Sequence, residues 1–367
     1  MAEILINDVK KQYGDFHAVK GSSFTIDDGD FFVMLGPSGC GKTTTLRMIA
    51  GLEMPSSGQI CLGGEDVTYL PASQRDTAFV FQMFALYPHM NVEKNIGFPL
   101  RCQGFNKAQI REKVGRIAEI LQITHLLKSP VGGLSSGDRQ RVALGRSIVR
   151  DPKAFLMDEP LGALDTEFRH VMCNELRDLH NEMKATTVYV THDQLEAMSM
   201  ADKILVMNHG TIEQIGSPQQ LYDHPMSMFV ADFLGDPSMS FLPFSSQIAA
   251  GDSVVRMSQD VLVDAPKILE SFEGTDFCLG IRPEHVSFDD GSPLKGQIFA
   301  VEYFGTTQVA VVKTDFGMIK ARVPVSYSLS IDEIVGLKFD TKSIVIFDAT
   351  SGRALKNEVY ERVGLYG

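Results

Sequence analysis

The sequence predicts an α/β phosphate-loop fold followed by a smaller all-β, OB-like domain. Three observations carry that expectation. The apolar run Phe31-Phe32-Val33-Met34-Leu35 leads straight into Gly36-Pro37-Ser38-Gly39-Cys40-Gly41-Lys42-Thr43 and then into the helix start Thr44-Thr45-Leu46-Arg47. Further short apolar runs, Ala78-Phe79-Val80-Phe81, Ala154-Phe155-Leu156-Met157 and Thr186-Thr187-Val188-Tyr189-Val190, alternate with helical periodicities, the pattern of strands buried between helices. Beyond Gly235 the chain turns to short alternating strands with frequent turns, as in small barrels.

The loop at 36–43 fits the phosphate-binding pattern G-x-x-x-x-G-K-[ST] in strand-loop-helix context. Its glycines let successive backbone N–H groups curl around an anion, and the helix N-terminus adds its dipole. In such a loop Lys42 reaches the β- and γ-phosphates as a point charge and Thr43 places a hydroxyl on Mg²⁺. Cys40 lies inside this nest and beside Lys42, surroundings that stabilise a thiolate. It is therefore expected to alkylate fastest of the five cysteines when no nucleotide is bound.

With 367 residues, 44% hydrophobic and 22% charged, the chain is long enough for two globular domains. Its apolar runs are too short to cross a bilayer, and its first residues lack the basic and apolar regions of a signal peptide. Five scattered cysteines without a C-x-x-C pair argue against a disulfide framework or zinc site, so a reducing cytoplasm is expected. A net charge of −12 argues against nucleic acid or an anionic lipid surface as an electrostatic partner.

Taken in order, residues 4–26 read as antiparallel strands. Tyr13, just upstream of the loop, has the ring to stack on a purine and equally the position of an ordinary turn tyrosine. Gln82 leaves a strand edge, where a glutamine can orient water or touch Mg²⁺ or simply face solvent. Ile110, Val114, Ile117, Ala118 and Leu121 mark one face of a helix capped by Asn106. Ser135, Ser136, Gly137 and Asp138 open a helix over 139–150, as a second anion site or as a plain serine cap. Asp158 and Glu159 end an apolar strand; with the phosphate loop upstream they read as a Mg²⁺ carboxylate and a general base rather than as a solvated turn. Phe168, Met172, Leu176, Leu179 and Met183 mark another helix. His192 ends the next strand, where it can meet a phosphate oxygen or be structural. In the second domain, strands are expected at 297–303, 307–313 and 318–323.

The loop, Gln82, 134–138, 156–160, Leu164-Asp165 and His192 together stand in an order and spacing that resembles the ATP-binding-cassette ATPases. Gly216-Ser217-Pro218, Leu221-Tyr222, Pro225, 229–235, Gly280-Ile281-Arg282-Pro283-Glu284-His285 and Phe347-Asp348 narrow the resemblance, over nearly the whole length, to the carbohydrate-import kind that serves maltose and glycerol phosphate.

That resemblance implies a cassette at 1–235 with a helical subdomain inserted near 84–150, and a dimerising, regulatory OB-like domain at 236–367. It implies that Tyr13 stacks on adenine, that the loop residues Gly36, Ser38, Gly39, Cys40, Gly41, Lys42, Thr43 and Thr44 hold ATP, and that Thr43, Gln82 and Asp158 serve Mg²⁺. Glu159 is then the base, His192 contacts the γ-phosphate, and Gln82 senses both nucleotide and membrane partner. Ser135, Gly137 and Asp138 belong to the ATP held by the second subunit of a homodimer. The implied partners are two transmembrane permease subunits, contacted near Gln82, and, indirectly, an extracytoplasmic solute-binding protein. The implied place is the cytoplasmic face of the membrane. Other importer classes, for polyamine, iron or another solute, share the cassette. One departure stands out: the usual Leu-Ser-Gly-Gly-Gln signature reads Leu134-Ser135-Ser136-Gly137-Asp138, with an anion where a neutral amide is usual, so working hydrolysis with weakened closure is expected.

Overall fold

The computed structural model describes residues 2–81, 86–150, 152–162 and 164–364. The chain divides into two compact units, Met1–Pro218 and Gln219–Gly367.

In the first unit β1 (Ile4–Tyr13) and β2 (Phe16–Ile26) form the antiparallel pair read from the sequence, followed by β3 (Phe31–Leu35) and α1 (Lys42–Ala50). Next come β4 (Ser57–Leu62), β5 (Glu65–Asp66), β6 (Thr77–Val80), α2 (Val92–Cys102), α3 (Lys107–Ile120) and α4 (Ser136–Ile148). The unit continues through β7 (Ala154–Asp158), α5 (Thr166–Met183), β8 (Thr186–Thr191), α6 (Gln194–Met200), β9 (Lys203–Asn208) and β10 (Thr211–Gly216). A four-stranded sheet has the order β2-β1-β4-β5, and a six-stranded sheet the order β10-β9-β3-β8-β7-β6. From β9 to β6 neighbouring strands are parallel, and β10 closes the edge antiparallel.

Every residue of β3, β7 and β8 is buried. That is why these strands read as unbroken apolar runs: a parallel sheet is covered on both faces. Phe32, Met34, Leu46, Ile49, Leu156, Val188 and Leu205 share one core, which fixes α1 against the sheet. The helices α2, α3 and α4 all fall between β6 and β7. In α3 the Asn106 cap is a full capping box with Gln109, which satisfies backbone groups at the helix start. In α4 the helix begins at Ser136, earlier than expected, because the Ser135 hydroxyl accepts from the Asp138 N–H as its cap.

The second unit holds a five-stranded antiparallel sheet whose central strands Lys295–Phe304, Thr307–Thr314 and Gly317–Pro324 extend the three expected by a residue or more. A three-stranded sheet of Ser240–Ser245, Asp276–Ile281 and Val345–Asp348 joins it through a core that includes Leu242, Phe277, Leu279, Ile298, Val312 and Ile346. The helices Pro218–Asp223 and Met228–Phe233 lie mostly in this unit, so the compact units divide ahead of residue 235. The cause is a tether. Arg282 is 2% exposed and donates from Nε to Tyr222 O at 2.8 Å and from Nη1 to Leu234 O at 2.7 Å. Tyr360 adds a bond to Pro225 O at 3.0 Å.

Candidate active site

The carboxyl ends of β3, β7 and β8 lie side by side in the sheet, the edge at which open α/β sheets bind ligands. From β3 the chain enters the loop 36–43. A Cβ on Gly36 would lie 2.2 Å from Met207 O, and Gly41 has φ 111° with Ala18 O at 2.7 Å from its Cβ position. Only glycine fits either place. Ser38 and Gly39 are exposed, while Gly41, Thr43 and Thr44 are half-buried.

Lys42 is 4% exposed and its ammonium folds back on the loop. Nζ donates to Gly36 O at 2.7 Å and to Pro37 O at 2.9 Å, with Cys40 Sγ at 3.7 Å. The buried ammonium is held by these carbonyl dipoles, with the charge of Asp158 also acting on it, an arrangement that an anion entering the loop improves. Cys40 itself is 4% exposed, whereas Cys102 is exposed. This enclosure argues against the expectation that Cys40 alkylates fastest, because alkylation needs access to the sulfur as well as thiolate character.

Thr43, in the first turn of α1, donates its hydroxyl to Asp158 Oδ1 at 2.8 Å. Burial pushes the Asp158 carboxyl above the usual aspartate range, against the pull of the Thr43 hydroxyl and of Arg47, whose Nη2 is 3.9 Å from Oδ2. Two hard oxygen donors thus converge beside the loop. Among the described residues no three His, Cys, Asp or Glu side chains gather into a metal cage.

Glu159 follows at φ 46°, left-handed for a residue with a Cβ, a conformation that costs on the order of 1 kcal/mol and clusters at functional sites. Its N–H is tied to Val190 O at 3.0 Å, and its Oε2 lies 3.3 Å from His192 Nδ1. The Glu159 side chain is largely buried and that of His192 about half exposed. The structure therefore brings Lys42, Thr43, Asp158, Glu159 and His192 to one sheet edge.

Other expected residues stand apart. Tyr13 ends β1, 47% exposed, with Lys11 Nζ 4.8 Å from its ring centroid; burial and Glu53 push its hydroxyl pKa up. Ser135 donates its hydroxyl to Asp138 Oδ2 at 2.7 Å while accepting from the Asp138 N–H at 3.1 Å. Asp138 also lies 4.0 Å from Arg141, and Gly137 leaves room for Leu164 Cδ2, 3.3 Å from a Cβ placed there. Among the described residues no hydrogen bond or ion pair joins Ser135, Gly137 or Asp138 to the loop. Gln82 lies outside the described residues. Sequence reasoning missed Arg47 and Arg169, whose partners are set by tertiary structure and leave no local signal.

A family model described as ABC transporter matches residues 19–162, and one described as TOBE domain matches residues 279–347. The trehalose import ATP-binding protein SugC of Mycobacterium tuberculosis (strain CDC 1551 / Oshkosh) is 42% identical over 97% of this chain and 98% of its own. The chain belongs to the ATP-binding-cassette ATPases of carbohydrate import. Two more relatives of this cassette ATPase are the trehalose/maltose import ATP-binding protein MalK of Thermococcus litoralis and the lactose transport ATP-binding protein LacK of Rhizobium radiobacter. Each is 42% identical over 97% of this chain and 100% of its own. Among solved structures, the dimeric bacterial ABC transporter cassette MJ0796 is 28% identical, with a TM-score of 0.55 over 59% of the cassette ATPase and 98% of that chain. Another structure of MJ0796, a dimer in a post-hydrolysis state with ADP and Pi, is similar at 27% identity and a TM-score of 0.54, over 59% of this chain and 98% of that one.

Proposed function

We propose that this protein is the ATP-hydrolysing subunit of an importer for a sugar or related carbohydrate, and that it works as a homodimer on a pair of permease subunits at the cytoplasmic face of the membrane. The observation that carries the reading is the juxtaposition of Thr43, Asp158, Glu159 and His192 at adjoining strand ends, next to the buried Lys42. Full-length relatives named for trehalose, maltose and lactose favour carbohydrate over polyamine or iron.

In this reading ATP lies along the loop 36–43 with its base near Tyr13, and Thr44 adds to the phosphate contacts. The N–H groups of the loop and Lys42 position the β- and γ-phosphates, so most of the barrier reduction is electrostatic. The Thr43 hydroxyl and the Asp158 carboxylate are the protein oxygens suited to Mg²⁺, which takes one or two protein ligands and completes its shell with phosphate and water. When bound it neutralises charge on the phosphates. Water attacks the γ-phosphorus, the bond to the β-phosphate oxygen breaks, and Glu159 accepts the proton of the water, a contribution of about 10²–10⁴-fold. His192 Nδ1 holds Glu159 in place, and its other ring nitrogen faces the γ-phosphate. Ser135, Gly137 and Asp138 act on the ATP of the second subunit, which accords with their separation from this chain's own loop. The permease docks near Gln82, and a solute-binding protein delivers the sugar to it.

Reconstitution with permease subunits and a sugar-binding protein of a carbohydrate importer tests the reading. Sugar-stimulated ATP hydrolysis that disappears in Lys42→Ala is expected. Hydrolysis indifferent to every sugar and to the permease would refute it.

A further inference from the structure

Arg169 lies in the first turn of α5, and its guanidinium is held from three sides. Nη1 donates to Asp193 Oδ2 at 2.9 Å and Nη2 to Leu164 O at 3.0 Å. Nε faces Glu196 Oε1 at 3.6 Å and is sealed from solvent without a hydrogen bond. The three anchors come from two segments: Leu164 from the turn that leaves β7, and Asp193 and Glu196 from the start of α6, directly after His192. A planar guanidinium fixes the spacing of such a set, which the single ammonium of a lysine cannot span.

Each anchor is itself fixed. Glu196, 4% exposed, accepts from Tyr189 at 2.8 Å and from Thr191 at 2.7 Å, both on β8. Asp193 caps α6, its Oδ1 accepting from the N–H groups of Leu195 at 2.8 Å and Glu196 at 3.2 Å. Leu164 belongs to the turn that Glu159 opens, where Gly162 N–H donates to Glu159 O at 3.3 Å and Leu164 N–H to Leu161 O at 3.1 Å. Arg169 therefore joins the segment that carries Glu159 to the segment that carries His192.

We propose that Arg169 is a positioning residue for ATP hydrolysis: it clamps the turn after β7 to the end of β8 and so sets the Glu159–His192 contact of 3.3 Å. The proposal rests on the roles given to Glu159 and His192 above. A base displaced by about 1 Å loses on the order of 10²-fold in rate while substrate binding persists.

The test is a set of single-turnover and steady-state ATPase measurements on Arg169→Lys, Asp193→Asn, His192→Ala and the double variant Arg169→Lys/His192→Ala. Asparagine keeps the cap of α6 but loses the charge that meets Arg169, so Asp193→Asn opens the clamp from the other side and decides the matter if Arg169→Lys does not fold. Both clamp variants are expected to lower kcat by about tenfold or more with KM for ATP within about twofold. In the His192→Ala background, Arg169→Lys should add no further loss, because the contact it sets is already gone. Losses that multiply in the double variant, or clamp variants with the kcat of the parent, would overturn the proposal. Undiminished turnover in His192→Ala would overturn the underlying site reading instead.

Discussion

Thr43 Oγ1 donates to Asp158 Oδ1 at 2.8 Å, across 115 residues of sequence, and so closes the phosphate loop onto the end of β7. The carboxylate it meets is buried, which raises the Asp158 pKa. A carboxyl with a raised folded pKa gives its full stability below its unfolded value of about 3.9, and that stability is lost as pH rises through the folded value. At neutral pH the ionised Asp158 therefore lowers stability; Arg47, half exposed and 3.9 Å away, compensates little.

Asp158→Asn is accordingly expected to raise the melting temperature of the nucleotide-free protein at neutral pH, with the gain shrinking toward pH 4, while abolishing Mg²⁺-dependent turnover. Thermal melts across pH, paired with ATPase assays, check both halves. A lower melting temperature for the asparagine variant at neutral pH would mean that Asp158 stabilises the fold it was argued to strain.

Cysteine accessibility follows from burial. Cys102 is exposed and Cys40 and Cys173 are buried, the latter with its thiol pushed up to about 12 by burial first and Glu196 second. A short pulse of iodoacetamide mapped by mass spectrometry should find Cys102 labelled first and Cys40 and Cys173 last. Cys40 leading the series would mean that the loop opens far more than its geometry shows.

Sharing of the two ATP sites is testable by mixing. Lys42→Ala and Ser135→Arg subunits together form heterodimers with one site carrying both defects and one intact. Hydrolysis above that of either variant alone is expected, and mixtures shown to contain heterodimers but no activity would count against shared sites.

In the second unit Arg282 ties the carbonyls of Tyr222 and Leu234. Arg282→Ala should cost about 3 kcal/mol of folding free energy, since two charge-assisted bonds go and the Leu234 carbonyl stays buried. Denaturant titration reads this directly; a loss under about 1 kcal/mol would show that water replaces the guanidinium.

The loop 36–43 and the strands β3, β7 and β8 were legible because their signals are local: glycines where a Cβ cannot fit, and apolar runs for strands covered on both faces. Asp158, Glu159 and His192 were legible as strand ends, though their contacts were not. The contacts of Arg169 and Arg282 were opaque, since the acidic partner Asp193 lies 24 residues from Arg169 and the carbonyl partners of Arg282 lie 48 and 60 residues away, and any surface arginine has the same sequence appearance. The early division at Pro218 was hidden for the same reason, as it depends on Arg282 and Tyr360 gripping the short helices that follow it. For Cys40, the charge around the sulfur can be inferred from neighbours in sequence, whereas its enclosure cannot.

Glu159→Gln tests the account most directly, because the amide keeps the shape of the side chain beside His192 while it removes the negative charge and with it the ability to take a proton. Measured together, nucleotide affinity should stay near that of the parent while turnover falls by about 10²-fold or more and the ATP-bound dimer accumulates. Turnover close to that of the parent would contradict the assignment of Glu159 as the base, and with it the proposed chemistry of the site.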